Sequence, residues 1–444
     1  MKSKIDFLVG HICELAEEMF LRTTAIDETA AKFFKSRHYL GSHDRAFIAE
    51  HVYGIVRYRR TIENALEQIF PSFFFLGQQK YFLYFVTLVV FQQKEKTDEL
   101  LAEQLSLRWS QVQPAIAPEN FLQLLRSFFS KQFLAVASKK NCGIQYSFPD
   151  LFVKKIAAAN DEEQTSQLLS ALNLPAPVTL RVNTLQCTRE QCRTALHMEG
   201  IPTEETLYSP FGLKAKKRFN SQALVAYKRG WFEMQDEGSQ LLALLLNGKE
   251  NETVIDACAG AGGKSLAIAA LMKNCGRIIA LDIDAVRMRA LHKRAQRAGI
   301  TIVQSYLLPA LEKEIFFESA DAVLIDAPCT GSGTIRRNPM LKWKITDELI
   351  EEKVMVQKQL LEEYAQFVKP GGRVMYATCS LFQDENENVV ESFLALRKNF
   401  RLVAPAEMFL PYALPQAAHK QFFTLLPHIH NTDGFFAAVF TRDY

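Results

Sequence analysis

Two cysteines and one aspartate stand where a sheet would present them. Ala322-Val-Leu-Ile-Asp-Ala is an apolar run that ends in Asp326-Ala-Pro-Cys329. Further along, Lys-Pro-Gly-Gly (369–372) breaks a preceding helix, and Val374-Met-Tyr-Ala has the length of a buried strand. That strand delivers Cys379 to its carboxyl end. Ligands of open α/β sheets bind at that edge. If the two strands are neighbours, a ladder spacing of about 4.8 Å brings both thiols and the Asp326 carboxylate to one site. A single free cysteine argues only for packing, because cysteine is among the most buried residue types. Cys13, Cys142, Cys187, Cys192 and Cys275 are read that way. Two cysteines closing two strands are a different matter.

Such a set suits methylation of a pyrimidine carbon. Cytosine C5 is a poor nucleophile until a thiolate adds to C6 and turns C5 into an enamine-like carbon. The C5 proton must then leave so that the thiol can be eliminated. The chemistry needs one nucleophilic cysteine, a group that handles release, and a carboxyl group on the N3/N4 edge of the base. A free thiol has a pKa near ~8.5 and needs a positive neighbour to react at neutral pH. Lys264, opening a helix at the same edge, is the candidate.

The elements that must position these groups begin near residue 231. Strands are expected over 253–257, 276–282, 302–306, 320–327, 373–378 and 435–440, with helices over 264–272, 284–298 and 347–368. The last strand is expected to close the sheet. This alternation predicts a parallel, doubly wound, Rossmann-like sheet with right-handed crossovers. The first turn, Asp256-Ala-Cys-Ala-Gly-Ala-Gly-Gly-Lys-Ser265, follows a strand and opens a helix. Its glycines let a ligand approach the backbone. Asp282 ends the next strand, where an acid takes the ribose hydroxyls of a nucleoside cofactor. Three cofactors compete for this loop. A P-loop needs glycine at 258, which is Cys, and the dinucleotide pattern needs glycine or alanine at 265, which is Ser. S-adenosylmethionine carries no phosphate and needs only the close turn and the acid, so it is favoured.

The front of the chain reads differently. Residues 1–138 are expected to be all-helical, with Ser42 capping a helix to about residue 60 and the apolar run Tyr81–Phe91 as a buried helix, too short to span a membrane. Lys94–Glu99 reads as a solvated turn. Arg37, Arg45, Arg57, Arg59 and Arg60 form either a solvated face with internal ion pairs or a phosphate-binding patch. His38 and His43 lack a ligand set, so no metal is expected. Residues 139–230 read as a small α+β module with a strand at 177–183 and a capping box at Thr188–Gln191. Lys214, Lys216, Lys217, Arg218, Lys228 and Arg229 are its candidates for RNA backbone contact.

A net charge of only +3 excludes a wholesale basic protein, so nucleic-acid contact must use local patches. Eight cysteines without CxxC pairing argue against zinc and disulfides and for a reducing cytoplasm. The start, Met-Lys-Ser-Lys-Ile-Asp, lacks a signal-peptide core.

Together, residues 256–264, 326–333 (Asp-Ala-Pro-Cys-Thr-Gly-Ser-Gly), Arg336-Arg-Asn-Pro339, Ala377-Thr-Cys-Ser380 and Asp433-Gly-Phe-Phe436 resemble the RNA cytosine-5 methyltransferases. Gly230–Gln240 and Leu180-Arg-Val-Asn183 are similar to the bacterial Sun (RsmB-type) enzymes of small-subunit ribosomal RNA, and Leu40–Arg45 with Tyr53–Arg57 to their NusB-like front domain. The resemblance implies three domains: an all-α NusB-like domain (1–138), an RNA-binding subdomain (139–230) and a methyltransferase domain (231–444). It implies Cys379 as nucleophile, Cys329 as the aid to release, and Asp326 on the cytosine edge and beside the cofactor. Cys258, Ala259, Gly260, Ala261, Gly262, Gly263 and Lys264 would wrap S-adenosylmethionine, and Asp282 would bind its ribose. The implied partner is ribosomal RNA, and the implied setting is a cytoplasmic monomer without metal or membrane. One departure stands out. Relatives usually carry Gly-Asp after the third strand, an acid near the adenine amino group, whereas this chain reads Val303-Gln-Ser-Tyr-Leu307. A backbone carbonyl or Ser305 is the expected substitute. Arg336 and Arg337 are candidates for RNA contact or plain loop residues. The alternative function is an RNA-binding ribosome-assembly factor that keeps an inactive methyltransferase fold, and a nucleotide hydrolase is a more distant reading.

Overall fold

Apolar alternation and helix-capping residues give the two halves of the chain their different characters. The computed structural model describes residues 4–22, 26–71, 76–92, 97–109, 112, 116–132, 142–308, 313–408 and 421–444. The chain divides into two units: Met1–Asn173 with Arg337–Lys344, and Leu174–Arg336 with Ile345–Tyr444.

The first unit is helical throughout its described residues, with Lys4–Leu21, Ile26–Lys35, Ser42–Arg57, Arg59–Ile69, Gly77–Gln92, Thr97–Arg108 and Pro118–Ser127 as its main helices. Gly77–Gln92 is the central one. Every residue from Tyr81 to Val90 is buried, as its unbroken apolar run requires. Gly41 rather than Ser42 is the N-cap of the third helix. Extended backbone at Gly41 starts the turn, and Asp44 reaches back to the Gly41 amide. That helix stops at Arg57, and Arg59 begins a new one. Residues 94–96 of the expected turn lie outside the described residues, and Thr97 already begins a helix. The arginine cluster is largely taken up internally: Arg37 pairs with Glu14, Arg59 with Glu63, Arg60 with Asp150, and Arg45 donates to the Leu40 carbonyl.

The second unit carries two sheets. The smaller comprises β1 (Val178–Val182), β2 (Thr203–Glu205), β3 (Gly212–Ala215) and β4 (Phe232–Met234), antiparallel in the order β2-β3-β1-β4. Thr188 and Gln191 close the expected capping box on the helix Arg189–Met198. The larger comprises β5 (Thr253–Asp256), β6 (Arg277–Asp282), β7 (Val303–Leu307), β8 (Ala320–Asp326), β9 (Val368–Thr378), β10 (Phe400–Val403), β11 (Phe423–Leu425) and β12 (Phe435–Arg442). Its order is β10-β12-β9-β8-β5-β6-β7, with β11 also pairing to β12. The block from β9 to β7 is parallel, and β10, β11 and β12 are antiparallel.

Two expectations are corrected here. β12 does not close the sheet but lies between β9 and β10. Lys369–Gly372 lie inside β9, which starts at Val368 with a register shift against Ala320 and Ala322 of β8. Gly371 absorbs the irregularity at φ +77°. The helix before it ends at Tyr364, followed by a short 3₁₀ turn. Both faces of the parallel block are buried, which explains why its strands read as continuous apolar runs. Val254, Leu324, Met375 and Ala377 pack on one face, and Ile255, Val323, Ile325 and Tyr376 on the other.

Candidate active site

β8 and β9 are adjacent and parallel, with Asp326 opposite Ala377. The Ala327 amide donates to the Ala377 carbonyl at 2.9 Å, so the ladder runs on past both strand ends. The two thiols therefore leave the sheet at one level. The sulfurs of Cys329 and Cys379 stand 3.3 Å apart, each partly exposed. Lys264 Nζ donates to Asp326 Oδ2 at 2.5 Å. The expected cluster is assembled at the carboxyl edge of the sheet.

Electrostatics separates these groups. Burial pulls the Lys264 ammonium down, but the charge and hydrogen bond of Asp326 more than offset it, and Cys379 and Asp256 add to the upward push. Lys264 thus stays a cation whose field reaches Cys379. The hydrogen bond to Cys379, then burial, hold the Cys329 thiol well above its ordinary value. Cys329 therefore resists ionisation, with its sulfur in hydrogen-bond reach of Cys379. Burial raises Asp256 to about 6, although Ser265 Oγ donates to it at 2.6 Å.

The glycine loop connects β5 to the helix Gly263–Leu271. Gly260 and Gly262 have φ of +53° and +80°. A Cβ on Gly262 would collide with Leu291, whereas one on Gly260 would meet nothing within 4 Å. The loop is thus tight against its own helix layer and open on the other side. Asp282 Oδ2 accepts from the Gly260 amide at 2.7 Å and Oδ1 from the Asp284 amide at 2.8 Å, so the acid at the end of β6 is fixed beside the open glycine. Ala259 is buried and continues the strand with a hydrogen bond to the Leu281 carbonyl. The Ala261 carbonyl accepts from Arg294, and that of Gly263 from Arg181 and Gln235. Cys258 is partly exposed, and burial raises its thiol well above the ordinary value, so it packs rather than reacts. The residues suit a phosphate-free nucleoside cofactor: open glycine backbone, a ribose acid, and a lysine committed to Asp326 rather than free for phosphate.

Several expectations change. Arg336 is 4% exposed and donates to the Pro175 carbonyl and Asn431 Oδ1, both at 2.9 Å, so it braces the fold instead of facing RNA. Arg337 is half-buried and belongs to the first unit. Ser305 Oγ is already hydrogen-bonded to His292 at 2.6 Å. Cys275, expected in a packed interior, is exposed. Lys214 pairs with Glu204, while Lys216, Lys217, Arg218, Lys228 and Arg229 remain on the surface.

Residues 243–441 match the family model for the 16S rRNA methyltransferase RsmB/F, and residues 148–222 match the ferredoxin-like domain of RsmF/B-like methyltransferases. The chain is 30% identical over 415 residues to the probable ribosomal RNA small subunit methyltransferase B of Synechocystis sp., spanning 90% of this chain and 92% of that one. The chain belongs to the RsmB/F family. It is also 32% identical over 322 residues to a human 28S rRNA (cytosine(4447)-C(5))-methyltransferase, covering 68% of this chain and 39% of the relative. The crystal structure of PH0851 superposes with a TM-score of 0.76 at 26% identity over 100% of both chains.

Within this RsmB/F-family chain the small sheet is tied to the helix that follows β6. Asn183 Nδ2 donates to the carbonyls of Gly230 and Ala298, and Glu233 pairs with Arg294 and Arg297. Sequence reading passed over two buried polar residues behind the thiols, Glu385 and Gln357. Glu385 lies in the polar run Gln383–Asn388, where no local pattern marks it. Only the tertiary fold shows that it faces inward.

Proposed function

We propose that this RsmB/F-family methyltransferase transfers a methyl group from S-adenosylmethionine to C5 of a cytosine in small-subunit ribosomal RNA through a covalent Cys379–C6 adduct. The observation that carries the reading is the pair of sulfurs 3.3 Å apart at the ends of adjacent strands. The Cys379 thiolate, in the field of Lys264, adds to C6. The electron pair of the C5–C6 bond then makes C5 nucleophilic. Asp326, oriented by Lys264, accepts the exocyclic amine of the base. The loop from Cys258 to Lys264 and the Asp282 carboxylate would hold S-adenosylmethionine, which would supply the methyl group from its sulfonium sulfur and leave as the neutral thioether. A water at this partly exposed edge takes the C5 proton, its C–H electron pair re-forms the C5–C6 double bond, and the bond from C6 to Cys379 breaks, returning the sulfur as a thiolate. Cys329, holding its proton, donates a hydrogen bond to the departing sulfur. The front domains, NusB-like over 1–138 and RNA-binding over 139–230, would bring the RNA to this edge through exposed bases such as Lys216 and Lys217. The protein works as a cytoplasmic monomer, where its thiols stay reduced.

Transfer of labelled methyl to ribosomal RNA tests this. Cys379→Ala abolishes incorporation, and Cys329→Ala accumulates a protein–RNA adduct that survives denaturing electrophoresis. Unchanged incorporation in Cys379→Ala refutes the nucleophile. Calorimetric binding of S-adenosylmethionine separates this reading from an assembly factor with an inactive fold.

A further inference from the structure

Both thiol loops end on one buried carboxylate. Glu385 is 0% exposed. Its Oε1 accepts from the Thr330 amide at 2.8 Å and from Gln357 Nε2 at 3.0 Å. Its Oε2 accepts from Thr330 Oγ1 at 2.5 Å and from Ser380 Oγ. Thr330 directly follows Cys329, and Ser380 directly follows Cys379. Gln357 Nε2 also reaches the Pro328 carbonyl at 3.0 Å, on the other side of Cys329. One side chain therefore grips the residue next to each sulfur.

A carboxylate suits this position for a physical reason. It accepts only, through about four lone-pair sites, so it can terminate donors from two loops at once. A glutamine of the same shape would turn an amide donor against the Thr330 and Ser380 groups that now donate. Burying a carboxylate is costly unless it is well hydrogen-bonded. No cation pairs with Glu385 among the described residues, and four neutral donors take that place. The cost is met where two loops must keep one spacing.

We propose that Glu385 is a positioning residue for the two-thiol reaction, clamping Thr330 and Ser380 so that the sulfurs of Cys329 and Cys379 stay within hydrogen-bond reach. After the Cys379 hydrogen bond, burial and the charge of Cys379, Glu385 is a further cause that keeps Cys329 protonated. The role rests on the proposed reaction, but the clamp can be read without turnover.

The test is Glu385→Gln in the full chain, with two readouts. The first is closure of the Cys329–Cys379 disulfide by diamide, mapped by mass spectrometry. Two thiols lose two protons and two electrons, forming one S–S bond, and the azo group of diamide is reduced to a hydrazine. The second is single-turnover methyl transfer, beside calorimetric affinity for S-adenosylmethionine. Losing a charge-assisted clamp should slow both closure and transfer by roughly 10- to 100-fold, with cofactor affinity unchanged. Thr330→Val, which removes one donor and leaves the carboxylate, should show a smaller slowing of both, and it carries the test if Glu385→Gln does not fold. Wild-type closure in the variants overturns the clamp, even if transfer falls. Slowed closure in a protein whose wild type methylates no RNA supports the clamp and sinks the proposed function instead.

Discussion

Lys264 and Lys342 carry the same side chain into the interior, one in each unit. Lys264 has Asp326 at 2.5 Å, and the pair lifts its ammonium above the ordinary value in spite of burial. Lys342 is 0% exposed in the segment that joins the first unit. Its Nζ donates to the Arg57 carbonyl at 2.6 Å and Asn173 Oδ1 at 3.1 Å, and lies 4.0 Å from the centre of the Phe148 ring. Burial, with the charge of Arg57 adding to it, pushes this lysine well down. Burial alone does not decide whether a lysine stays charged; a carboxylate within reach does. The lysine beside the thiols keeps its positive charge. The other acts as a hydrogen-bonding plug, which needs dipoles and not a counter-ion.

The same substitution should therefore have unequal consequences, on turnover at one lysine and on the pH dependence of stability at the other. Lys264→Met leaves Asp326 without its cation and removes the positive field at Cys379. Turnover should fall by about 10²- to 10³-fold, an effect of ~3–4 kcal/mol on the transition state. Single-turnover methyl transfer measures it, with RNA affinity as the control. Transfer at the wild-type rate would mean that the charge at this position does no chemistry.

A second carboxylate near Lys264 sharpens the contrast. Asp256 is 1% exposed, and burial raises it from 3.8 to about 6, with the charge of Asp326 adding to the push against the pull of Ser265. The folded chain holds this proton more tightly than the unfolded chain. Its contribution to stability is complete below pH 3.8 and is lost as pH rises through about 6. At pH 8 the wild type carries a penalty on the order of 2–3 kcal/mol. Asp256→Asn keeps an acceptor for Ser265 and lifts that penalty. Thermal melts should show the variant more stable at pH 8 and equal to the wild type near pH 4. Parallel profiles across that range would show that Asp256 is not strained.

These sites differ in how much of them could be read from the chain. The glycine loop, Asp282, and the ends of β8 and β9 were legible because each is a local pattern, an apolar run followed by a turn and a reactive group. That Cys329 and Cys379 meet needed one further assumption, that their strands are neighbours, and the sheet order supplies it. Lys342 and Glu385 were not legible. Lys342 meets Arg57 and Asn173 across long sequence separations, and Leu341-Lys-Trp-Lys344 looks like any amphipathic turn. Glu385 hides among polar neighbours. Arg336 misled for the converse reason: an arginine in a loop suggests a surface, but the Pro175 and Asn431 oxygens take its donors inside. Lys369–Gly372 misled because a proline and two glycines read as a break, while a bulge let β9 run through them.

The smallest effect is expected at Lys342, and its sign is the informative part. The unfolded chain protonates this lysine below about 10.5, and the folded chain does so only at lower pH. Unfolding therefore takes up a proton, and stability rises with pH between the depressed value and 10.5 and falls as pH drops through that interval. Lys342→Met fills a similar volume and abolishes the slope. It also removes the hydrogen bonds that Lys342 gives to the Arg57 carbonyl and Asn173 Oδ1, a loss of about 1–2 kcal/mol that opposes the gain from removing a buried amine. The net change at pH 7 should stay within about 1 kcal/mol. Denaturant midpoints at pH 7 and 9.5 check both statements, since the wild type should gain stability over that range relative to the variant. An equal or larger gain by the variant at pH 9.5 would mean that Lys342 holds its proton in the folded state, and that Phe148 and two carbonyl oxygens can do for one buried lysine what Asp326 does for the other.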